Sequence, residues 1–116
     1  MAMLSNTPPP PYYAVIFSSI RTEGDNGYSA TAQRMAEFAA AQPGFLGEES
    51  ARSDIGITVS YWADLESIRQ WKMNAEHLIV QKIGKQKWYR SYRLRVCKVE
   101  RDQAFEFSDG DSSADQ

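Results

Sequence analysis

The chain has little of the two residues that most often build metal, redox and nucleophile sites: it holds one cysteine, Cys97, and one histidine, His77. A lone thiol cannot close an internal disulfide and leaves no CxxC pair, which fits a reducing compartment, so cytoplasm is the expected location. One histidine and one cysteine on separate predicted elements do not make a metal-ligand set. Glycine-rich phosphate loops are missing too, since Gly24 and Gly27 fit neither the P-loop nor the dinucleotide pattern. No apolar run approaches membrane-spanning length. The first residues, Met1-Ala2-Met3-Leu4-Ser5, lack the basic and apolar regions of a secretion signal, and the expectation is a chain neither exported nor membrane-bound. A strong charge of either sign is also absent: 13 Lys and Arg against 15 Asp and Glu leave a formal net charge of -2. That balance gives no global attraction to nucleic acid or an anionic membrane.

What remains is an ordinary globular composition. The 116 residues, 42% hydrophobic and 12% aromatic, suffice for one core and leave no room for a second domain. Residues 1–11, with four consecutive prolines from Pro8 to Pro11, read as a disordered proline-rich tail, and 108–116 as a small-residue, acidic one. The domain is then 12–107.

Within it, 12–20 is an aromatic and β-branched run without a breaker, which predicts a first strand buried on both faces. Tyr28, Ala32, Met35 and Ala39 recur at helical spacing, and Gln42-Pro43-Gly44 stops the run, giving a helix over 28–41. Residues 45–52 and 57–62 are β-prone and are joined by a connection of hairpin length, Ser53-Asp54-Ile55-Gly56. Asp64 is a good N-cap for a second helix reaching Ile83, where Gly84 supplies a stop after a lysine-rich last turn. Residues 88–101 alternate as a long fourth strand. The order βαββαβ, with right-handed crossovers, closes into a ferredoxin-like α+β fold: a four-stranded antiparallel sheet covered on one face by two helices. The other face would leave much apolar surface wet, and a second copy of the chain is the expected cover. Burial of each large side chain there would contribute about 1.5–3 kcal/mol, which favours a homodimer.

Four short pieces in order, Pro43-Gly44-Phe45-Leu46-Gly47, Ser60-Tyr61-Trp62, Trp71-Lys72-Met73-Asn74-Ala75-Glu76-His77, and Trp88-Tyr89 with Tyr92-Arg93-Leu94-Arg95-Val96, give the chain its family likeness. It resembles the antibiotic biosynthesis monooxygenase domain family over about residues 13–107. The resemblance implies a dimeric α+β barrel with a pocket between helices and sheet in each subunit. Members of that family oxidise aromatic polyketides with O2 without metal or flavin, or degrade haem. In the haem-degrading branch a helix-two histidine binds iron, with a tryptophan about ten residues before it and an asparagine on strand one. Here Trp71 precedes His77 by only six positions and strand one offers Ser18 and Ser19, so no cofactor is expected and haem is disfavoured.

The candidate site residues follow. His77 is the only side chain whose ordinary pKa lies near neutrality, which makes it the candidate base. On an unbroken helix, however, it lies almost opposite Ile68 and the apolar face, so entry into a pocket requires a break near Met73-Asn74, and that break is expected. A surface histidine is the alternative. Arg95 and Tyr92 are the candidate oxyanion donors. Trp62, Trp71 and Trp88, with Asn74, are the candidate walls for a small, flat aromatic ligand, since such rings grip flat molecules by stacking; core or dimer-interface roles are the competing reading.

From Lys82 to Arg101 eight basic residues face Glu100 alone. The RNA-recognition fold shares this element order, but Ile55-Gly56-Ile57-Thr58-Val59-Ser60-Tyr61-Trp62 does not fit its aromatic strand pattern, and no nucleic-acid partner is expected. Those charges read either as a solvated strand or, at Arg93 or Arg95, as a donor fork for an anionic or enolate oxygen.

Overall fold

A computed structural model describes residues 3–25, 27–78 and 88–107, with side chains in the second helix described as far as Asn74. Along the chain the elements are β1 (Tyr12–Arg21), α1 (Tyr28–Ala40), β2 (Phe45–Arg52), β3 (Gly56–Trp62), α2 (Leu65–Leu78) and β4 (Tyr89–Val99). The expected βαββαβ order is therefore present. The strands form one sheet in the order β2-β3-β1-β4, each neighbouring pair antiparallel, which is the ferredoxin-like arrangement.

Local chemistry sets most of the boundaries. The Asp25 carboxylate accepts the Ser29 backbone N–H at 3.2 Å, and the Asp25 carbonyl accepts the Tyr28 N–H at 2.8 Å, which starts α1 behind a left-handed Gly27. At the start of α2 the Asp64 carboxylate accepts the Ser67 N–H at 2.7 Å, as expected of an N-cap. β4 is shorter than the alternating run suggested. Its last ladder pair is Tyr12 with Val99, because β1 is preceded by Pro8 to Pro11, which carry no N–H to extend the ladder.

The expected break in α2 is not there. Helix runs continuously through Met73 and Asn74, and the Asn74 side chain is exposed and, among the described residues, makes no hydrogen bond that would draw a carbonyl out of the helix. The expected extension of this helix to Ile83 and the Gly84 stop lie outside the described residues.

Strand register fixes the two faces of the sheet, because residues directly opposite share a face. Toward the helices point Tyr13, Val15, Phe17 and Ser19 of β1, Ser60 and Trp62 of β3, Tyr92 and Leu94 of β4 and Phe45 of β2. Val15, Trp62, Ala39 of α1 and Ile68 of α2 form the core, with Tyr13, Phe45, Trp71 and Leu94 packed around it. Trp62 is fully buried; it is edge-on to Phe45 at 5.4 Å, 5.3 Å from the Trp71 ring, and its indole N–H donates to Ser60 Oγ at 2.9 Å.

The opposite face carries Ala14, Ile16, Val59, Tyr61, Arg95 and Cys97. The N-terminal segment crosses one end of it. The Ser5 N–H donates to Glu49 at 2.8 Å, Tyr61 OH donates to the other oxygen of that carboxylate at 2.9 Å, and Tyr12 OH donates to Asp102 at 2.5 Å while accepting from Thr7. β1 is thus half-buried to buried over most of its length within one chain, although Ile20 and Ile57 remain 41% and 45% exposed on this face.

Candidate functional site

The helix-side face has two ends. At one end lies the tryptophan core just described. At the other, where β1 finishes, β2 finishes and β4 begins, aromatic rings and two guanidinium groups meet.

Phe17 of β1 sits 5.3 Å from Tyr92 and 5.5 Å from Tyr89, whose own rings are 5.8 Å apart. Tyr28, the first residue of α1, stands edge-on to Tyr89 at 5.8 Å and to Trp88 at 6.0 Å. Arg21 lies over the Tyr28 ring with its guanidinium carbon 3.6 Å from the centroid, a cation–π contact. That guanidinium is fixed by donating to the carbonyls of Trp88, Gly24 and Asp25 at 3.1–3.3 Å.

A second guanidinium enters along one cross-strand row. Arg52 faces Gly56, Gly56 faces Ser19, and Ser19 faces Tyr92. Gly56 has no side chain to fill its place in that row, and a Cβ there would fall on the Arg52 guanidinium. Arg52 therefore lies across Gly56 and donates to Ser19 Oγ, a hydroxyl that is itself buried. Among the described residues the rest of its donor fork has no hydrogen-bond partner and Arg52 forms no ion pair.

The electrostatics of this end follow from burial. The Tyr89 hydroxyl is pushed well above the ordinary phenol range, first by desolvation and then by its hydrogen bond with Tyr28, with Arg52 and Arg21 pulling the other way. It stays a neutral hydrogen-bonding group at physiological pH. Two phenols beside two cations, of which Arg21 also interacts with the Asp25 carboxylate, make a place suited to an electron-rich or ionised oxygen on a flat ring.

The sequence-predicted site residues divide. Tyr92 belongs to this cluster, 42% exposed, and Trp88 stands at its edge, half-buried. Trp62 is in the core instead, because its neighbours Phe45, Trp71 and Ile68 close over it. Trp71 packs on Trp62, and its indole nitrogen is buried without an acceptor among the described residues. Asn74 is exposed on α2. Arg95 faces away from the helices: it pairs with Ile16, three residues from Tyr92, and an odd spacing along a strand puts the two on opposite faces. They cannot act as a joint pair of donors on one ligand. The His77 side chain lies outside the described residues. Its backbone belongs to an unbroken α2, in which a residue nine positions beyond Ile68 falls about half a revolution away around the axis.

Reading the sequence alone missed Arg21, Arg52, Ser19, Phe17 and Tyr28. Charged residues at strand ends look like solvated termini, and only the register reveals that a glycine between Arg52 and Ser19 opens the row. That register could have been sought by aligning the hairpin 45–62 outward from its Ser53–Gly56 connection.

Among the described residues no three His, Cys, Asp or Glu side chains are grouped to hold a metal ion, and no helix is long and apolar enough to cross a membrane. In comparisons with known proteins, the chain is 50% identical over 113 residues to the uncharacterized protein YqjZ of Bacillus subtilis (strain 168), covering 96% of this chain and 99% of that one. Its fold is similar to that of SnoaB, a cofactor-independent oxygenase from Streptomyces nogalater, with a TM-score of 0.66 at 14% identity over 82% of this chain and 98% of that one. It is similar also to NE2512, a protein of unknown function from Nitrosomonas europaea, with a TM-score of 0.62 at 12% identity over 84% and 97% of the two chains. The model of the antibiotic biosynthesis monooxygenase family matches residues 11–82, from the start of β1 through α2, and the chain belongs to that family.

Proposed function

We propose that this protein is a cofactor-independent monooxygenase-like enzyme that oxidises a small aromatic or polyketide-like substrate with O2, and that the substrate lies against the Phe17, Tyr28, Trp88, Tyr89 and Tyr92 cluster. The observation that carries this reading is the juxtaposition of stacking rings with two guanidinium groups and the Tyr28 and Tyr89 phenols at one end of the helix-covered face. An electron-rich aromatic must lose a proton before its carbon can pass electrons to O2, and a site that favours the resulting oxyanion lowers that barrier. The phenol of Tyr89, kept neutral by burial, donates to that oxygen by turning its one O–H away from Tyr28. Cation–π contact holds Arg21 and Tyr28 as a fixed pair beside it, so little reorganisation accompanies the charge as it develops. Because α2 runs unbroken past Asn74, the position of His77 is turned away from the core-facing side, and the proton acceptor in this reading is water, since two nearby cations favour ionisation of a phenolic substrate on their own.

The same reading assigns the open sheet face, with Ile16, Val59, Ile57 and Ile20, to a homodimer contact, checked by light scattering at micromolar concentration, where a monomeric mass refutes it. The catalytic reading is checked by oxygen uptake with a panel of hydroquinone- and anthrone-class compounds. Accelerated uptake that Tyr89→Phe reduces at least tenfold, with chelator leaving it unchanged, is the expected result. If no compound raises uptake above the buffer rate, the monooxygenase assignment fails.

A further inference from the structure

Arg52 is an unusual strand terminus. A cation at the last position of an outer strand ordinarily extends into water, where it gains most from hydration. Here the side chain stays exposed to water yet lies across the sheet, over Gly56 of the neighbouring strand, which has no side chain in its way. It rests on Ser19 Oγ, which is buried, and Ser19 in turn faces Tyr92 in the ladder. One hydroxyl accepts from one of five guanidinium N–H groups, and the Arg52 charge lies close enough to the Tyr89 phenol to favour its ionised form. A fork held in place before a ligand arrives loses less conformational freedom on binding than a free side chain would. The second cation, Arg21, is spent differently: its donors go to three backbone carbonyls and its face to the Tyr28 ring. Of the two, Arg52 has the fewer donors committed.

We propose that Arg52, laid across Gly56 onto Ser19, is the anion-selecting residue of this site, and that its ligand is a planar aromatic carrying an ionised oxygen. The proposal rests on reading the aromatic cluster as the ligand site, but it concerns binding and does not need turnover. Gly56 is then a positioning residue: it touches no ligand and acts by leaving the row open.

The test compares anthraquinone-2-carboxylate with its neutral methyl ester by quenching of tryptophan fluorescence in the full-length protein. The wild type is expected to bind the acid about tenfold more tightly than the ester, the size of effect expected from a charge-assisted hydrogen bond. Arg52→Gln should abolish that preference while leaving affinity for the ester within about twofold, and Arg52→Lys should recover it only in part, since an ammonium lacks the fork. Gly56→Ala should also lower the preference through displaced Arg52, with ester binding reporting that the site itself is intact. A second arm uses 2-hydroxyanthraquinone on either side of its own ionisation: tighter binding of the anion identifies a phenolate or enolate ligand, whereas selectivity confined to the carboxylate probe identifies a carboxylic acid. Equal affinity for acid and ester in the wild type, no binding of either, or full preference retained in Arg52→Gln overturns the proposal. Charge-selective binding without any oxygen uptake would uphold it while refuting the monooxygenase reading, so the two fail separately.

Discussion

Replacing Gly44 by alanine separates two costs that the structure places on one residue. Gly44 closes the turn between α1 and β2 with φ at +84°, a left-handed conformation that costs an L-residue about 1–2 kcal/mol. Its backbone also presses on α2: a Cβ would fall on Ser67 Oγ, in the first turn of that helix, while the Gly44 carbonyl accepts the Ala63 N–H at 2.8 Å. Ser67 cannot clear the contact by rotating its hydroxyl, because its Cβ would also lie 2.5 Å from the added carbon and Asp64 holds its N–H at 2.7 Å. Forcing a methyl group into such a contact costs a further 1–3 kcal/mol or so, and Gly44→Ala is expected to lose about 2–5 kcal/mol in all. Urea unfolding followed by circular dichroism measures it, with an unchanged m-value required for the comparison. In a Ser67→Gly background the steric part disappears and the same substitution should cost only the backbone part, about 1–2 kcal/mol. A cost below about 0.5 kcal/mol in the wild-type background, or an identical cost in both, would refute the reasoning.

Three further outcomes are expected. Burial and the Glu49 carboxylate that accepts its hydrogen bond push the Tyr61 hydroxyl from 10.0 up to about 12, so phenolate absorbance should show a late ionisation step that Tyr61→Phe removes. Since the folded value lies above the unfolded one, the stability Tyr61 contributes is complete below pH 10 and is lost as pH rises toward about 12; a Tyr61→Phe variant should lose less stability over that interval. Arg95→Ala should leave aromatic-ligand affinity within about twofold, because the residue faces away from the cluster, and a tenfold loss would place the site on the other face. Titration with haem should give no new Soret band; a band that His77→Ala abolishes would instead favour haem binding.

Much of the fold can be read from residue order because its signals are local. The Asp64 cap, the Ser53–Gly56 connection and the breaker-free run of β1 each decide an element without reference to the rest of the chain. The site is less legible because it is assembled across strands. Arg52 and Ser19 are 33 positions apart, and their contact depends on Gly56 being opposite both. Tryptophan misled for a related reason: Trp62 could line a pocket or fill a core, and composition does not distinguish them, whereas three packing partners in space do. Asn74 misled by propensity. Asparagine competes for helix hydrogen bonds only when its side chain turns back on the backbone, and at this exposed position it does not.

The most direct test of the account is a crystal structure of the full chain with a planar hydroxyaromatic bound. The account predicts density for the ring among Phe17, Tyr28, Tyr89 and Tyr92, with its oxygen within hydrogen-bond distance of the Arg52 guanidinium. A ligand seated on the opposite sheet face, or one in the core beside Trp62 and Trp71 with Arg52 unmoved and uncontacted, would contradict it.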